Sequence, residues 1–187
     1  MDWIDGQALD RFADGPASQE ERNRIGQALW DFYAHQMHQL LHFHADPHPG
    51  NFLVRDGQLW VLDFGCTRAI SQDFHDRQFA LLNPALLQDR DAFASALRGL
   101  SILLPEDTPE TTAKVLTLAR QSIELLARPF QAAIFDFSDP AFLKAIYDMG
   151  EANRKDKSLR SLRGARGPAE SVYVNRAYFG LYSLLHR

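Results

Sequence analysis

The sequence predicts a mainly helical α+β chain with one β-hairpin, and three observations carry that expectation. Two apolar runs, Phe52-Leu53-Val54-Arg55 and Gln58-Leu59-Trp60-Val61-Leu62, are separated by Asp56-Gly57, a pair favoured in two-residue type I′ turns because both central residues need positive φ. Ahead of them, apolar residues recur at helical spacing from Ile25 to Leu41. Behind Gly65, helix start signals repeat to the end of the chain. With 187 residues, 45% hydrophobic and 24% charged, the chain is long enough for one substantial core, and a single domain over 1–187 is expected. A formal net charge of -4 gives no support to nucleic-acid binding. The single cysteine, Cys66, excludes an internal disulfide and a cysteine-rich zinc site, as suits a reducing compartment. No apolar run approaches the length of a membrane span, and the first residues carry neither a basic nor an apolar leader region, so the expected location is cytoplasmic.

Residues 1–17 open with Met1-Asp2-Trp3-Ile4-Asp5-Gly6, an apolar pair flanked by acids and closed by glycine, which reads as a strand end turning into a loop. Ser18 and Glu21 make a capping box, so a helix is expected over 18–43. Ile25, Leu29, Phe32, Tyr33, Met37, Leu40 and Leu41 give it one broad apolar stripe. Pro47 and Pro49 forbid further helix. In the hairpin, Arg55 opposite Gln58 sets Val54 against Leu59 and Phe52 against Val61, so Asn51 falls opposite Leu62 and beside Asp63. Apolar residues on both faces (Phe52, Val54, Leu59 and Val61; Leu53, Trp60 and Leu62) predict burial on both sides. Residues 66–187 read as wholly helical. Ser71 caps a helix to about Leu87, Asp91 one to about Leu104, and Thr108-Pro109-Glu110 one to about Ala127. Asp139-Pro140 starts a helix to about Asn153, and Gly167-Pro168 the last, to Leu185. Arg154, Lys155, Lys157, Arg160, Arg163 and Arg166 form a basic run opposed only by Asp156. It reads as a solvated linker, with a site for anionic lipid headgroups or an acidic partner as the alternative.

The chemistry gathers in residues 44–65. Asn51 and Asp63 set an amide oxygen beside a carboxylate, a pair suited to Mg²⁺, which takes few protein ligands and completes its shell with water and phosphate oxygens. Asp46 precedes Asn51 by five residues, the spacing of Asp and Asn in the kinase loop H-R-D-x-x-x-x-N, and His44 stands where that motif has its His. His44 reads as a packed brace of the loop. For His48, a contact to phosphate or substrate and a turn-stabilising hydrogen bond are both open. His35, His38 and His42 read as a polar helix face rather than a metal site. Cys66 has no nearby base and reads as a small buried residue.

His44-Ala45-Asp46-Pro47-His48-Pro49-Gly50-Asn51, followed by Asp63-Phe64-Gly65, resembles the signature of the UbiB/AarF family of atypical protein-kinase-like proteins. The resemblance implies a protein-kinase-like C-lobe, ATP and Mg²⁺ as cofactors, phosphotransfer or ATP hydrolysis, and a role in ubiquinone or related isoprenoid-quinone biosynthesis, peripheral to a membrane. It implies that Asp46, with His44 and His48 in the same loop, serves the attacking group, that Asn51 and Asp63 hold the metal, and that Gly65 lies with them at the nucleotide. Met1-Asp2-Trp3-Ile4-Asp5-Gly6 is similar to the family's hinge, where backbone near Asp2 and Ile4 would contact adenine. A kinase also uses a strand lysine, a helix glutamate and a glycine-rich loop, all ahead of the hinge. Here every lysine (Lys114, Lys144, Lys155, Lys157) follows Asp63, and Gly6, Gly15 and Gly26 make no G-x-G-x-x-G. The chain therefore reads as a C-lobe without its N-lobe, weak or inactive in phosphotransfer alone and suited to a protein partner that supplies the other lobe. Two alternatives stand beside it. One is a non-catalytic module that binds a partner or isoprenoid lipid. The other is an aminoglycoside- or choline-type phosphotransferase, whose H-G-D-x-H-x-x-N loop shares the His at His48, although Ala45 and Pro47 favour the UbiB-like pattern.

Overall fold

The computed structural model describes residues 4–156 and 166–187. The chain divides into two compact units, one reaching to Ile70 and taking in Val172–Arg187, the other Ser71–Ser171.

In the first unit, β1 (Gln7–Ala8) and α1 (Leu9–Ala13) lead to α2 (Gln19–His35). The capping box forms as read: the Ser18 hydroxyl accepts from the Glu21 amide at 3.2 Å, and the Glu21 carboxylate accepts from the Ser18 amide at 2.8 Å. Ile25, Leu29 and Tyr33 turn inward from this helix. The helix expected over 18–43 stops short. A π-helical turn spans Gln36–Leu40, Leu41 adopts a left-handed φ of 51°, and the chain leaves as β2 (His42–His44). The reason is tertiary: β2 pairs antiparallel with β5 (Thr67–Ala69), His42 opposite Ala69 and His44 opposite Thr67. That strand pair also corrects the expectation of helix alone after Gly65, and three-residue strands are too short to show a period of two.

The hairpin of β3 (Phe52–Arg55) and β4 (Gln58–Val61) has the register read from its turn, Phe52 opposite Val61 and Arg55 opposite Gln58. Asp56 and Gly57 take φ of 52° and 70°, as a type I′ turn requires. The hairpin is not alone, since β1 pairs antiparallel with the other edge of β3. Burial on both faces does not hold. Phe52 and Val54 are buried, with the Phe52 ring against Phe32 and Tyr33 of α2, whereas Trp60 is 37% exposed.

In the second unit, start signals set most helices. α3 (Gln72–Ala80) is capped by Ser71, α6 (Pro109–Leu126) by Thr108 and α8 (Pro140–Lys155) by Asp139, as read. The first of these ends earlier than expected, because Asn83 and Pro84 start a separate α4 (Pro84–Gln88). α5 (Arg90–Gly99) is capped by Asp89 rather than Asp91: its carboxylate accepts from the amides of Asp91 and Ala92, both at 3.0 Å. A short α7 (Arg128–Gln131) follows α6. Within the basic run, Lys157, Arg160 and Arg163 lie outside the described residues. The remainder has more acidic partners than Asp156. Arg154 and Lys155 pair with Glu151, and Asp156 pairs with Lys114. Arg166 grips Asp107 with both terminal nitrogens, at 2.8 and 2.5 Å.

The last helix, α9 (Ala169–Leu185), belongs to the first unit from Val172 onward and buries Val174, Ala177, Leu181, Tyr182 and Leu184. Gly180 lies against the loop before the hairpin. A Cβ there would stand 1.9 Å from Pro47 Cγ. Among the described residues, no helix is long and apolar enough to cross a membrane.

Candidate active site

The site lies in the first unit, on the loop between β2 and β3 and the segment between β4 and β5. Two main-chain bonds hold these stretches together: the Ala45 amide donates to the Cys66 carbonyl at 2.8 Å, and the Leu62 amide to the Asn51 carbonyl at 2.9 Å. The second extends the hairpin pairing by one residue, so Asn51 and Asp63 meet at its open end as the turn register requires.

His44 is 1% exposed and braces both halves. Its main-chain amide donates to Gln36 Oε1 at 2.7 Å, its Nδ1 accepts from the Asp46 amide at 3.3 Å, and its Nε2 meets the Asp63 carbonyl at 2.5 Å. With Nδ1 accepting from a main-chain amide, Nε2 donates to the Asp63 carbonyl, and both ring nitrogens are used. Asn51 Nδ2 donates to the Asp46 carbonyl at 3.0 Å and to Asp46 Oδ2 at 3.3 Å. Its amide oxygen is thereby left for another ligand. Asp63 is exposed, and its Oδ1 accepts from the Gly65 amide at 2.7 Å. This closes a tight turn that fixes the carboxylate. His48 Nδ1 accepts from the Gly50 amide at 3.1 Å, the turn-stabilising bond that stood as one of its two readings. Phe64 is 56% exposed, its ring edge-on to His44.

Ile4 is half-buried in the irregular stretch before β1, and Asp2 lies outside the described residues. Cys66 is half-buried rather than buried. The three histidines expected on one helix face are separated: His35 ends α2, His38 lies in the π-helical turn with Nε2 3.2 Å from the Tyr178 hydroxyl, and His42 is in β2, 3.0 Å from the Thr67 hydroxyl.

Three residues that sequence reasoning missed belong to the site. Arg176 of α9 donates from Nη2 to Asp46 Oδ1 at 2.6 Å, across 130 positions of sequence. Nothing local marks it. Gln36 is 8% exposed and orients His44; its only sequence signal is a polar residue beside the stripe position Met37. Tyr33 is buried with its hydroxyl unpartnered among the described residues, and burial together with the nearby Asp46 charge pushes its phenol up.

The donor set fits Mg²⁺. Among the described residues no three His, Cys, Asp or Glu side chains gather into a metal cage, but Mg²⁺ held by one or two side-chain oxygens plus phosphates needs none. Asn51 and Asp63 offer two hard side-chain oxygens, and Asp63 is exposed to solvent.

Comparison with known proteins shows the family. Residues 1–97 match the ABC1 atypical kinase-like domain. The chain is 28% identical over 176 residues to the atypical kinase COQ8, mitochondrial, of Saccharomyces cerevisiae, covering 91% of this chain and 33% of that protein. It is 33% identical over 136 residues to an ABC1 family protein of Schizosaccharomyces pombe, covering 62% and 25%. With ACTIVITY OF BC1 COMPLEX KINASE 8, chloroplastic, of Arabidopsis thaliana it shares 30% identity over 114 residues, covering 56% and 14%. The chain thus spans a third or less of each of these relatives. The matched residues contain the whole loop, the hairpin and Asp63-Phe64-Gly65, and the chain belongs to the ABC1 atypical kinase-like family, the UbiB/AarF family that its motifs resemble.

Proposed function

We propose that this chain is the C-lobe of a kinase-like site that holds Mg²⁺–ATP and presents Asp46 to the attacking group. The observation that carries the reading is the pair of bonds from Asn51 Nδ2 to the Asp46 carbonyl and carboxylate, which turns the Asn51 amide oxygen into a fixed donor at the hairpin end shared with Asp63. Mg²⁺ held by Asn51 and Asp63 supplies charge neutralisation on the phosphates. Asp46 orients the attacking hydroxyl or water and takes its proton. His44 keeps the loop of Asp46 at a fixed distance from Asp63. Gly65 locks the Asp63 carboxylate, and by the family resemblance backbone near Ile4 contacts adenine.

Titration with ATP and Mg²⁺, followed by calorimetry or thermal shift, tests this. Asp63→Ala is expected to weaken Mg²⁺-dependent binding by at least about tenfold, the scale seen when support of a metal ligand is removed. Equal binding by both proteins, or binding indifferent to Mg²⁺, would sink the reading. The family resemblance extends the proposal to ubiquinone or related isoprenoid-quinone biosynthesis, carried out at a membrane surface. Complementation of a quinone-deficient strain by the wild type and not by Asp63→Ala supports that extension.

A further inference from the structure

Asp46 is the one side chain of the site with both oxygens engaged by different elements: Asn51 Nδ2 on Oδ2 at 3.3 Å and Arg176 Nη2 on Oδ1 at 2.6 Å. The arginine comes from an element that is itself fixed. One turn beyond Arg176, Gly180 sits so close to Pro47 that a Cβ would meet the ring at 1.9 Å, and Tyr178 reaches His38 at 3.2 Å. The α9 backbone therefore rests on the very loop that carries Asp46.

This raises a problem that the arginine solves. Asn51 contacts Asp46 directly, so the proposed cation donors and the Asp46 carboxylate are neighbours. A free carboxylate there would be a third hard oxygen for a divalent cation, and one bound to the metal could not serve the attacking group. We propose that Arg176 is a positioning residue that holds Asp46 out of the cation's shell and keeps it turned to the acceptor. The inference rests on the reading of Asn51 and Asp63 as cation donors. It predicts that losing Arg176 makes cation binding tighter, the opposite of what a merely supporting residue would do.

The test titrates Mn²⁺ alone, followed by its electron paramagnetic resonance signal, into the full chain and its variants. Arg176→Gln is expected to tighten Mn²⁺ binding by about five- to tenfold, as the freed Asp46 carboxylate gains access to the cation at a partly solvated site. Arg176→Lys, which keeps the charge, stays within about twofold of wild type on the same argument. In an Asp46→Asn background the gain from Arg176→Gln falls to about twofold or less, because the two residues act on one contact. Mn²⁺ affinity unchanged or weakened in Arg176→Gln, or a full gain persisting beside Asp46→Asn, overturns the inference. Asp63→Ala separates it from its parent reading. Loss of binding in Asp63→Ala with no gain in Arg176→Gln defeats the positioning role alone, and Mn²⁺ binding indifferent to Asp63→Ala defeats both.

Discussion

His44 spends its main-chain amide on Gln36 and its two ring nitrogens on Asp46 and Asp63 while fully buried. Removing the ring leaves the Asp46 amide and the Asp63 carbonyl without these partners and opens a cavity, so His44→Ala is expected to cost about 3 kcal/mol from the two effects together. A lowered urea midpoint measures it, and a variant as stable as wild type would show that the brace carries no load. Tyr33 makes the opposite case. Its hydroxyl is buried and has no partner among the described residues, so Tyr33→Phe removes a desolvation cost without losing a bond and is expected to raise stability by about 1 kcal/mol. A fall of that size would mean that a bound water satisfies the hydroxyl. Both residues lie on the stripe or loop that the sequence singles out, yet only His44 had a legible role. Its role follows from neighbours within 19 positions, carried by a turn whose register is fixed by Asp56-Gly57. The Tyr33 hydroxyl and Arg176 depend on which distant backbone arrives at Asp46, and no local pattern encodes that.

At the scale of elements, caps were legible and pairings were not. Ser18, Ser71, Thr108 and Asp139 each cap the helix read from them, because a cap is a contact over two or three residues. The end of α2 was not, because the left-handed turn at Leu41 is imposed by β2 joining β5, against an unbroken apolar stripe. The seat of α9 was equally hidden. Replacing a mid-helix glycine by alanine ordinarily gains about 1 kcal/mol, but at Gly180 the new Cβ would stand 1.9 Å from Pro47 Cγ and 2.7 Å from its Cβ, against a rigid ring. The clash wins. Gly180→Ala is expected to destabilise the protein by about 2 kcal/mol, within the usual cost of overpacking, and to speed amide exchange in residues 44–51. A rise in melting temperature would refute it. In the second unit, the fork from Arg166 lowers the Asp107 carboxyl from its ordinary 3.8 to about 2. A folded-state value below the unfolded one means that the pair's contribution is complete above pH 4 and is lost as pH falls from about 4 to 2. Asp107→Asn should therefore lower stability at pH 7 and flatten the acid limb in that window. An acid limb identical to wild type would assign the acid sensitivity to other carboxylates.

Taken whole, the molecule concentrates its candidate chemistry in one of two compact units. His44, Asp46, His48, Asn51, Asp63 and Gly65 all lie before Ile70, and Arg176 returns from Val172–Arg187. Ser71–Ser171 contributes none of them. Hydrogen exchange with Mg²⁺–ATP is accordingly expected to protect residues 44–65. Binding and turnover make different demands on this chain. On the proposed reading, two hard oxygens and a braced loop hold the metal–nucleotide. Rapid transfer also needs a cation and backbone donors around the phosphates as charge redistributes, and removing even one preorganised donor typically costs about 10²–10³ in rate. No lysine stands ahead of Lys114 in this chain, so the lysine–glutamate pair that kinases place over the phosphates has no counterpart among the residues before Asp63. The expected outcome is Mg²⁺-dependent ATP binding with turnover at least about 100-fold below the roughly 1–100 per second of protein kinases. A coupled assay on purified chain, with Asp63→Ala as the control, reads this directly. Turnover inside the kinase range and abolished by Asp63→Ala would mean that residues of this chain supply the missing charge, and the arginines ahead of the hairpin, Arg11, Arg22 and Arg24, would be the first to replace.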